Sequence, residues 1–316
     1  MRASLAHENG CSGVGVRFVT VDELNGDAHL GLCDRLRYIA RNLRRNLHHQ
    51  RARLTALRWC TPGRLQTTGI VTTSSPLRTL SEAFVLDELP RQRPPGEVAV
   101  LDVGCGSGRL SALLAEAGYR GKYTGVDIGN RFAGQNSAGP AFRMKFICGD
   151  IHVVPIDGPY DLILSVSALE HIAEDQVLLG KLDVMLSTNG LQVHIVPAPA
   201  ALPLYLWHGF RQYGVTALTD RFGVAGARVF ALGGAASWFL HFLWITLPEV
   251  IFGVRLRQAF PRAYTVLLRL ALRTDARLPS CPLGYAVVSP RQSADPEIPN
   301  PSRDQSQVED GLEVLT

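Results

Sequence analysis

The sequence predicts an α/β fold with a doubly wound, mostly parallel sheet of the seven-stranded type. Apolar strand-like runs alternate with helical runs between residues 98 and 197, which is typical of parallel strands covered by helices on both faces. A glycine-rich turn, VGCGSG, joins the first of these strands to a helix. An apolar segment interrupts the alternation at residues 200–283, and one more strand-like run follows at 284–290. We therefore expect a helical insertion before the last strand of the same sheet.

The first 75 residues are predicted to be an N-terminal extension. Apolar residues recur at helical spacing between residues 30 and 59, with eight arginines among them and a single acid, Asp34. A basic amphipathic helix of this kind can lie on an anionic membrane, bind a partner, contact nucleic acid, or pack its leucine face on the domain. Nucleic acid is not expected, because no aromatic platform for stacking bases is interleaved.

The core domain is expected at residues 76–199, which a chain of 316 residues accommodates together with additions. Residues 72–76 are typical of a helix N-cap region, and Pro90 ends the helix that follows. Further helices are predicted at 109–117 and 174–186. The predicted strands are 98–103, 123–127, 142–148, 161–166, 191–196 and 284–289. The net charge of +4 indicates no particular class of partner.

The turn after the first core strand has the features of a binding loop. Gly104, Gly106 and Gly108 stand at alternate positions, and glycine lets the backbone approach a ligand closely. The following helix offers unpaired N–H groups at its N-terminus. A dinucleotide-binding turn has its third glycine one residue later. Asp102 would also repel a pyrophosphate, whereas it would attract an ammonium group, so the pattern disfavours an NAD-dependent oxidoreductase.

Two more acids end the next two strands, Asp127 and Asp150. Each could be an ordinary turn residue when taken alone. Because the carboxyl ends of parallel strands meet at one edge, where doubly wound sheets bind ligands, we expect the acids to lie together. Carboxylates gathered in this way indicate a ligand that carries several hydrogen-bond donors.

Four motifs in succession resemble those of the class I S-adenosylmethionine (SAM)-dependent methyltransferases: LDVGCGSG at 101–108, TGVDI at 124–128, ICGDI at 147–151 and YDLILSVSALEHI at 160–172. The resemblance implies a Rossmann-like core that binds SAM, with Asp127 on the ribose hydroxyls and Asp150 near the adenine. The cofactor-binding residues that it implies are Asp102, Gly104, Cys105, Gly106, Gly108, Asp127, Ile128, Asp150, Ile151 and Ser165. A SAM-binding regulatory protein without turnover is a less favoured interpretation, because no motif is broken.

Methyl transfer to an oxygen commonly needs a base near neutral pKa. His171 follows the fourth strand and is the first candidate for a catalytic residue; Glu170 and His194 are weaker candidates. His208 is a candidate for the acceptor pocket. No Asn-Pro-Pro-Tyr type tetrapeptide follows the fourth strand, which disfavours amino-group methylation of bases or glutamine, and no spacing typical of a metal site is present. We expect O-methylation of a small-molecule or lipid-linked acceptor and no metal.

The run 229–248 contains no Asp, Glu, Lys or Arg and is long enough to span a bilayer. A simple crossing is disfavoured because the final strand must return to the sheet, so we expect a lid, an interfacial element or a core cap. Peripheral membrane contact is predicted through 30–59 and 229–248. The N-terminus has no apolar signal region, which favours the cytoplasm and the inner membrane face. Residues 291–316 are expected to be a disordered tail.

Overall fold

The computed structural model describes residues 25, 27, 31–48, 57–60, 73–132, 140–205, 208–222 and 226–291. One sheet of eight strands runs through the described part of the chain, in the order β1-β7-β8-β6-β5-β2-β3-β4. The strands are β1 Leu57–Cys60, β2 Glu97–Val103, β3 Arg120–Asp127, β4 Phe142–Cys148, β5 Tyr160–Val166, β6 Leu186–Pro197, β7 Arg228–Leu232 and β8 Gly284–Pro290. Only β8 runs antiparallel to its neighbours, β6 and β7. The predicted mostly parallel sheet, completed by its last strand, is confirmed.

Ten α-helices lie in the described residues, and two of the junctions between them are π-helical turns. They are α1 Leu32–His48, α2 Pro76–Ala83, α3 Leu89–Gln92, α4 Arg109–Glu116, α5 Asp175–Val184, α6 Val215–Phe222, α7 Ala235–His241, α8 Leu247–Phe252, α9 Leu256–Ala259 and α10 Pro261–Arg277. The π-helical turns Phe84–Glu88 and Phe242–Thr246 join α2 to α3 and α7 to α8. The Ser75 side chain accepts the N–H of Arg78 and caps α2 as predicted.

Alternate residues of each strand point to opposite faces of the sheet. Helices cover both faces. Val100 and Leu164 lie in a core beneath α2, α3, α4, α7 and α10. Leu101 and Val103 lie in a second core beneath α5 and α6. The glycine turn connects β2 to α4 at the carboxyl edge of the sheet, between these two layers.

Two strands differ from the sequence prediction. Residues 57–60 were expected to end the basic helix, yet they form β1 and pair with β7. The expected helical insertion also contains a strand, β7, within the run 229–248, and Gly233 ends it with a φ of 77°. In both segments the backbone forms hydrogen bonds with a strand that is distant in sequence. The spacing of apolar residues within a segment does not indicate such a pairing. Residues 1–24, 49–56 and 292–316, which include nearly all of the predicted tail, lie outside the described residues.

Candidate active site

The glycine turn holds a strained backbone that only glycine adopts readily. The φ angles of Gly104, Gly106 and Gly108 are 73°, 54° and 77°. A Cβ at Gly104 would lie 2.4 Å from the Cβ of Ala168, and one at Gly108 would lie 2.7 Å from the ring of Phe146. A Cβ at Gly106 would meet nothing within 4 Å. Gly104 and Gly108 are therefore required for close packing, whereas the backbone of Gly106 faces open space.

Asp127 organises this turn with both of its carboxylate oxygens. Its Oδ2 accepts the N–H of Gly106 at 2.8 Å, and its Oδ1 accepts the N–H of Gly129 at 2.8 Å. A carboxylate has about four lone-pair positions, so each oxygen retains capacity for one more donor. The half-buried side chain can thus hold the turn and still bind two ligand hydroxyls.

Asp102 lies beneath the turn and is only 2% exposed. Its Oδ2 accepts a short hydrogen bond from the hydroxyl of Tyr123. Burial raises the pKa of Asp102 to about 7; the Tyr123 hydrogen bond opposes the shift and the charge of Asp127 adds to it. Cys105 is buried, and its thiol lies so close to Gly125 that a Cβ there would be 2.8 Å from the sulfur. A nearby cation would favour the ionised form of Asp102.

The remaining predicted cofactor residues fall into two groups. Asp150 starts a turn in which its Oδ1 accepts the N–H of His152 at 2.9 Å, Ile151 is buried beside it, and Ile128 is exposed. These three residues follow β4 and β3 at the same edge as the glycine turn. The side chain of Ser165 does not lie with these three residues.

Ser165 pairs in register with Val103, whose side chain lies in the core beneath α5 and α6. It therefore points to the face opposite Asp102. Its hydroxyl is fully buried and hydrogen-bonded to Nδ1 of His194 at 2.8 Å. Burial lowers the pKa of His194 to about 3, so this imidazole stays neutral and the pair is part of the core.

The predicted catalytic and acceptor histidines meet beyond the end of β5. His171 lies in the 3₁₀ turn Leu169–His171, and its ring centroid is 4.5 Å from that of His208. Asp27 lies between them: its Oδ2 is 2.6 Å from Nδ1 of His171, and its Oδ1 is 3.3 Å from Nδ1 of His208. The N–H of Gly209 also donates to Asp27 Oδ2, at 3.1 Å. No pattern in the sequence predicted Asp27, which is separated from His171 by 144 residues.

The loop after β5 connects the glycine turn to the histidine cluster. Ala168, which packs on Gly104, is three residues from His171. Glu170 is 1% exposed, and its Oε2 has no hydrogen-bond partner among the described residues. Burial raises the pKa of Glu170 to about 8, and the charge of Asp27 adds to that rise. A polar cluster thus lies next to the binding loop, with a buried acid beneath it.

Comparison with known proteins assigns the part of the chain that holds the glycine turn. Residues 100–190 match the family described as the methyltransferase domain. The chain carries a class I, SAM-dependent methyltransferase domain. This domain contains the glycine turn, the acids that end β3 and β4, and the histidine of the β5 loop.

Several curated methyltransferases share part of this domain. A malonyl-[acyl-carrier protein] O-methyltransferase from Priestia megaterium is 30% identical over 95 residues, 30% of this chain and 35% of its own. A ubiquinone biosynthesis O-methyltransferase from Azorhizobium caulinodans is 31% identical over 122 residues, 35% of this chain and 47% of its own. A trans-aconitate 2-methyltransferase from Deinococcus radiodurans is 30% identical over 113 residues, 36% of this chain and 42% of its own. The chain therefore spans less than half the length of these relatives.

Solved structures are similar at lower identity. The [4+2]-cyclase SpnF is 17% identical with a TM-score of 0.45, and the match covers 81% of this chain and 92% of SpnF. Coclaurine N-methyltransferase bound to N-methylheliamine and SAH is 15% identical with a TM-score of 0.43, covering 80% of this chain and 86% of that protein.

The residues of the methyltransferase domain fit SAM, its cofactor. SAM supplies a methyl group on a sulfonium, and it also carries an ammonium group, two ribose hydroxyls and an adenine amine. The bare backbone at Gly106 would accommodate a ligand without displacing protein atoms. Asp127 would hold the ribose hydroxyls on its remaining lone pairs, and Asp102 would contribute negative charge toward the ammonium.

Proposed function

We propose that this chain transfers the methyl group of SAM to a hydroxyl of a small-molecule or lipid-linked acceptor. The observation that supports this best is the polar cluster of Asp27, His171 and His208, placed beside the cofactor turn by the contact between Ala168 and Gly104. Methyl transfer is an in-line displacement, in which alignment of the two reactants supplies much of the rate. In this proposal His171 is the catalytic residue that activates the acceptor oxygen, and His208 lines the acceptor pocket.

The reaction can be tested with methyl-tritiated SAM and extracts that are separated into lipid and aqueous pools. We expect label in one pool, attached to oxygen, and at least a 100-fold lower rate for His171→Ala. Asp157→Asn, which alters a carboxylate that is 90% exposed and pairs with Lys145, is the control and should retain the wild-type rate. Label on nitrogen, or an unaffected His171→Ala protein, would refute the proposal.

An apolar acceptor is supported by the surface near the cluster. Helix α1 is anchored by Tyr38, whose hydroxyl donates to the carbonyl of His208 at 2.8 Å. Leu32, Leu36 and Leu43 share one face of α1 and are 76%, 61% and 47% exposed. The alternative in which the leucine face of this helix packs on the domain is therefore wrong for these three residues. An exposed leucine face flanked by arginines is suited to a membrane interface.

A second apolar surface lies on the continuous helix from Ala235 to Phe252. This helix is long and apolar enough to cross a membrane by length and composition, and 33% of it is buried within the protein. Its exposed residues are Phe239, Leu243, Val250, Ile251 and Phe252. Because the chain returns to the sheet in β8, we propose that this helix lies on a membrane surface rather than crossing it.

Vesicle flotation tests this membrane contact. We expect the protein to float with anionic vesicles at low salt and less at high salt, since the charges of α1 are screened. Ile251→Asp should weaken flotation, whereas Val177→Asp, on the exposed surface of α5, should not. Failure to bind anionic vesicles at low salt would refute the proposal.

We propose a cytoplasmic location at the inner membrane face. The cytoplasmic leaflet carries the anionic lipids that would attract the arginines of α1. Fractionation of cells tests this location: recovery of the protein in the cytosolic or inner-membrane fraction supports the proposal, and recovery in an extracytoplasmic fraction refutes it.

A further inference from the structure

We propose that Asp27, His171 and His208 bind one divalent transition-metal ion, of the class that includes Zn²⁺, Fe²⁺ and Co²⁺. The positions of these three side chains support the metal site independently of any enzyme activity. Its role in catalysis, activation of the acceptor hydroxyl, rests on the proposed function.

The three side chains already converge on one point. Each offers one ligand atom, and these atoms all lie within 4.8 Å of one another. Two ligands on a tetrahedral ion with bonds of about 2.0–2.1 Å are separated by roughly 3.4 Å. The observed separations from Asp27 to the two imidazole nitrogens are 2.6 Å and 3.3 Å, so the first is shorter than that value and the second is close to it. Adjustments on the order of 1 Å in side-chain position would complete the coordination.

The donor types select the class of metal. Two imidazole nitrogens and one carboxylate oxygen form the ligand set of open catalytic sites for zinc and non-haem iron. Calcium and magnesium prefer oxygen ligands and would find only one side chain here. Three protein ligands also leave at least one coordination position for a water molecule or an acceptor oxygen.

A separate observation favours a cation at this place. Glu170 is buried next to His171 in sequence, and its Oε2 has no hydrogen-bond partner in the described part of the chain. A buried oxygen without a hydrogen-bond partner costs free energy. A cation held by His171 would supply a compensating charge beside it.

The surroundings also resemble the outer shell of a metal site. The N–H of Gly209 holds Asp27 Oδ2, which restricts how the carboxylate turns. The ring of Tyr205 lies 5.7 Å from that of His208 and limits its rotation. Partners of this kind orient metal ligands and tune their affinity.

The position of the site suggests its chemical role. A hydroxyl bound to the metal loses its proton more readily, because the cation stabilises the alkoxide. The alkoxide oxygen then forms a bond to the methyl carbon, the carbon–sulfur bond of SAM breaks, and its electron pair returns to sulfur. The proton leaves to water, so the products are one methyl ether, one thioether and one proton.

Cobalt(II) provides a test that is independent of methyl transfer. Chelator-treated full-length protein is titrated with CoCl₂, and the visible spectrum and the heat of binding are recorded. We expect one ion per chain with the intense absorption of a four- or five-coordinate site. Asp27→Asn, His171→Ala and His208→Ala should each weaken binding at least 100-fold, and Asp157→Asn should bind as the wild type does.

The outcomes separate the two levels of the proposal. A weak spectrum typical of the six-coordinate hydrated ion, or variants that bind cobalt like the wild type, would overturn the metal site whatever the enzyme activity. Circular dichroism checks that each variant is folded, and the conservative His171→Asn is the substitute if His171→Ala is not. Full methyl transfer by metal-free protein would overturn the catalytic role.

Discussion

The hydrogen bonds of Asp127 allow a quantitative test with Asp127→Asn. Both carboxylate oxygens accept a backbone N–H at 2.8 Å, one from Gly106 and one from Gly129. Asparagine has a single acceptor oxygen, so its NH₂ group must face one of these two donors. The substitution therefore loses one charge-assisted bond, worth about 1.5–3 kcal/mol, and leaves an N–H unsatisfied. Because the side chain is only half-buried, we expect a loss of about 2 kcal/mol in unfolding free energy.

Urea denaturation measures this loss, and calorimetry measures the affinity for SAM. Asp150→Asn is the matched control for stability, because the Asp150 carboxylate accepts only one described N–H, from His152, and asparagine can keep that bond. We expect the control to lose less than about 0.5 kcal/mol, and Asp127→Asn to bind SAM about tenfold more weakly, which corresponds to about 1.4 kcal/mol. If Asp127→Asn were as stable as Asp150→Asn, the two-acceptor reasoning would be wrong.

Three further predictions concern the turn and the core. Asp175→Asn should cost about 3 kcal/mol in denaturation experiments, because it leaves the buried guanidinium of Arg211, now 2.5 Å from Asp175, without its counter-charge. Folding raises the pKa of Asp102 from 3.8 to about 7. The protonated side chain therefore contributes its full stabilisation below pH 3.8, and this contribution is lost as the pH rises through 7. Between pH 4 and 8 the unfolding free energy should fall by up to about 4 kcal/mol relative to that of Asp102→Asn. Gly104→Ala should destabilise the protein more than Gly106→Ala in thermal melts, while Gly106→Ala should mainly weaken SAM binding.

Local signals in the sequence were sufficient for the binding edge of the sheet. Gly104 and Gly106 stand where positive φ angles are required, and Asp127 follows a buried strand. These features depend on residues that are close in the chain, so spacing alone predicts them. The antiparallel strand β8 was predictable because its apolar run and its bounding glycine are also local.

The parts that the sequence did not predict depend on distant contacts. Asp27 bonds to His171 across 144 residues of sequence, a contact that no local pattern indicates. Strand β1 follows a helical pattern in the sequence and becomes a strand only through its pairing with β7. Ser165 has the expected place in β5, yet the alternation of the strand directs it into the core with His194. The apolar run Leu162–Leu164 within β5 does not by itself indicate which face of the sheet Ser165 points to.

The hydrogen bond from Tyr38 to the carbonyl of His208 has a consequence for how this protein can diverge. The cofactor edge is built from a continuous stretch of chain, whereas the neighbouring cluster needs the N-terminal extension and the segment after β6 to meet. Substitutions in these two segments can therefore change which acceptor is preferred while the cofactor-binding residues stay the same. Relatives that share the central domain and differ at both ends would be expected to methylate different molecules.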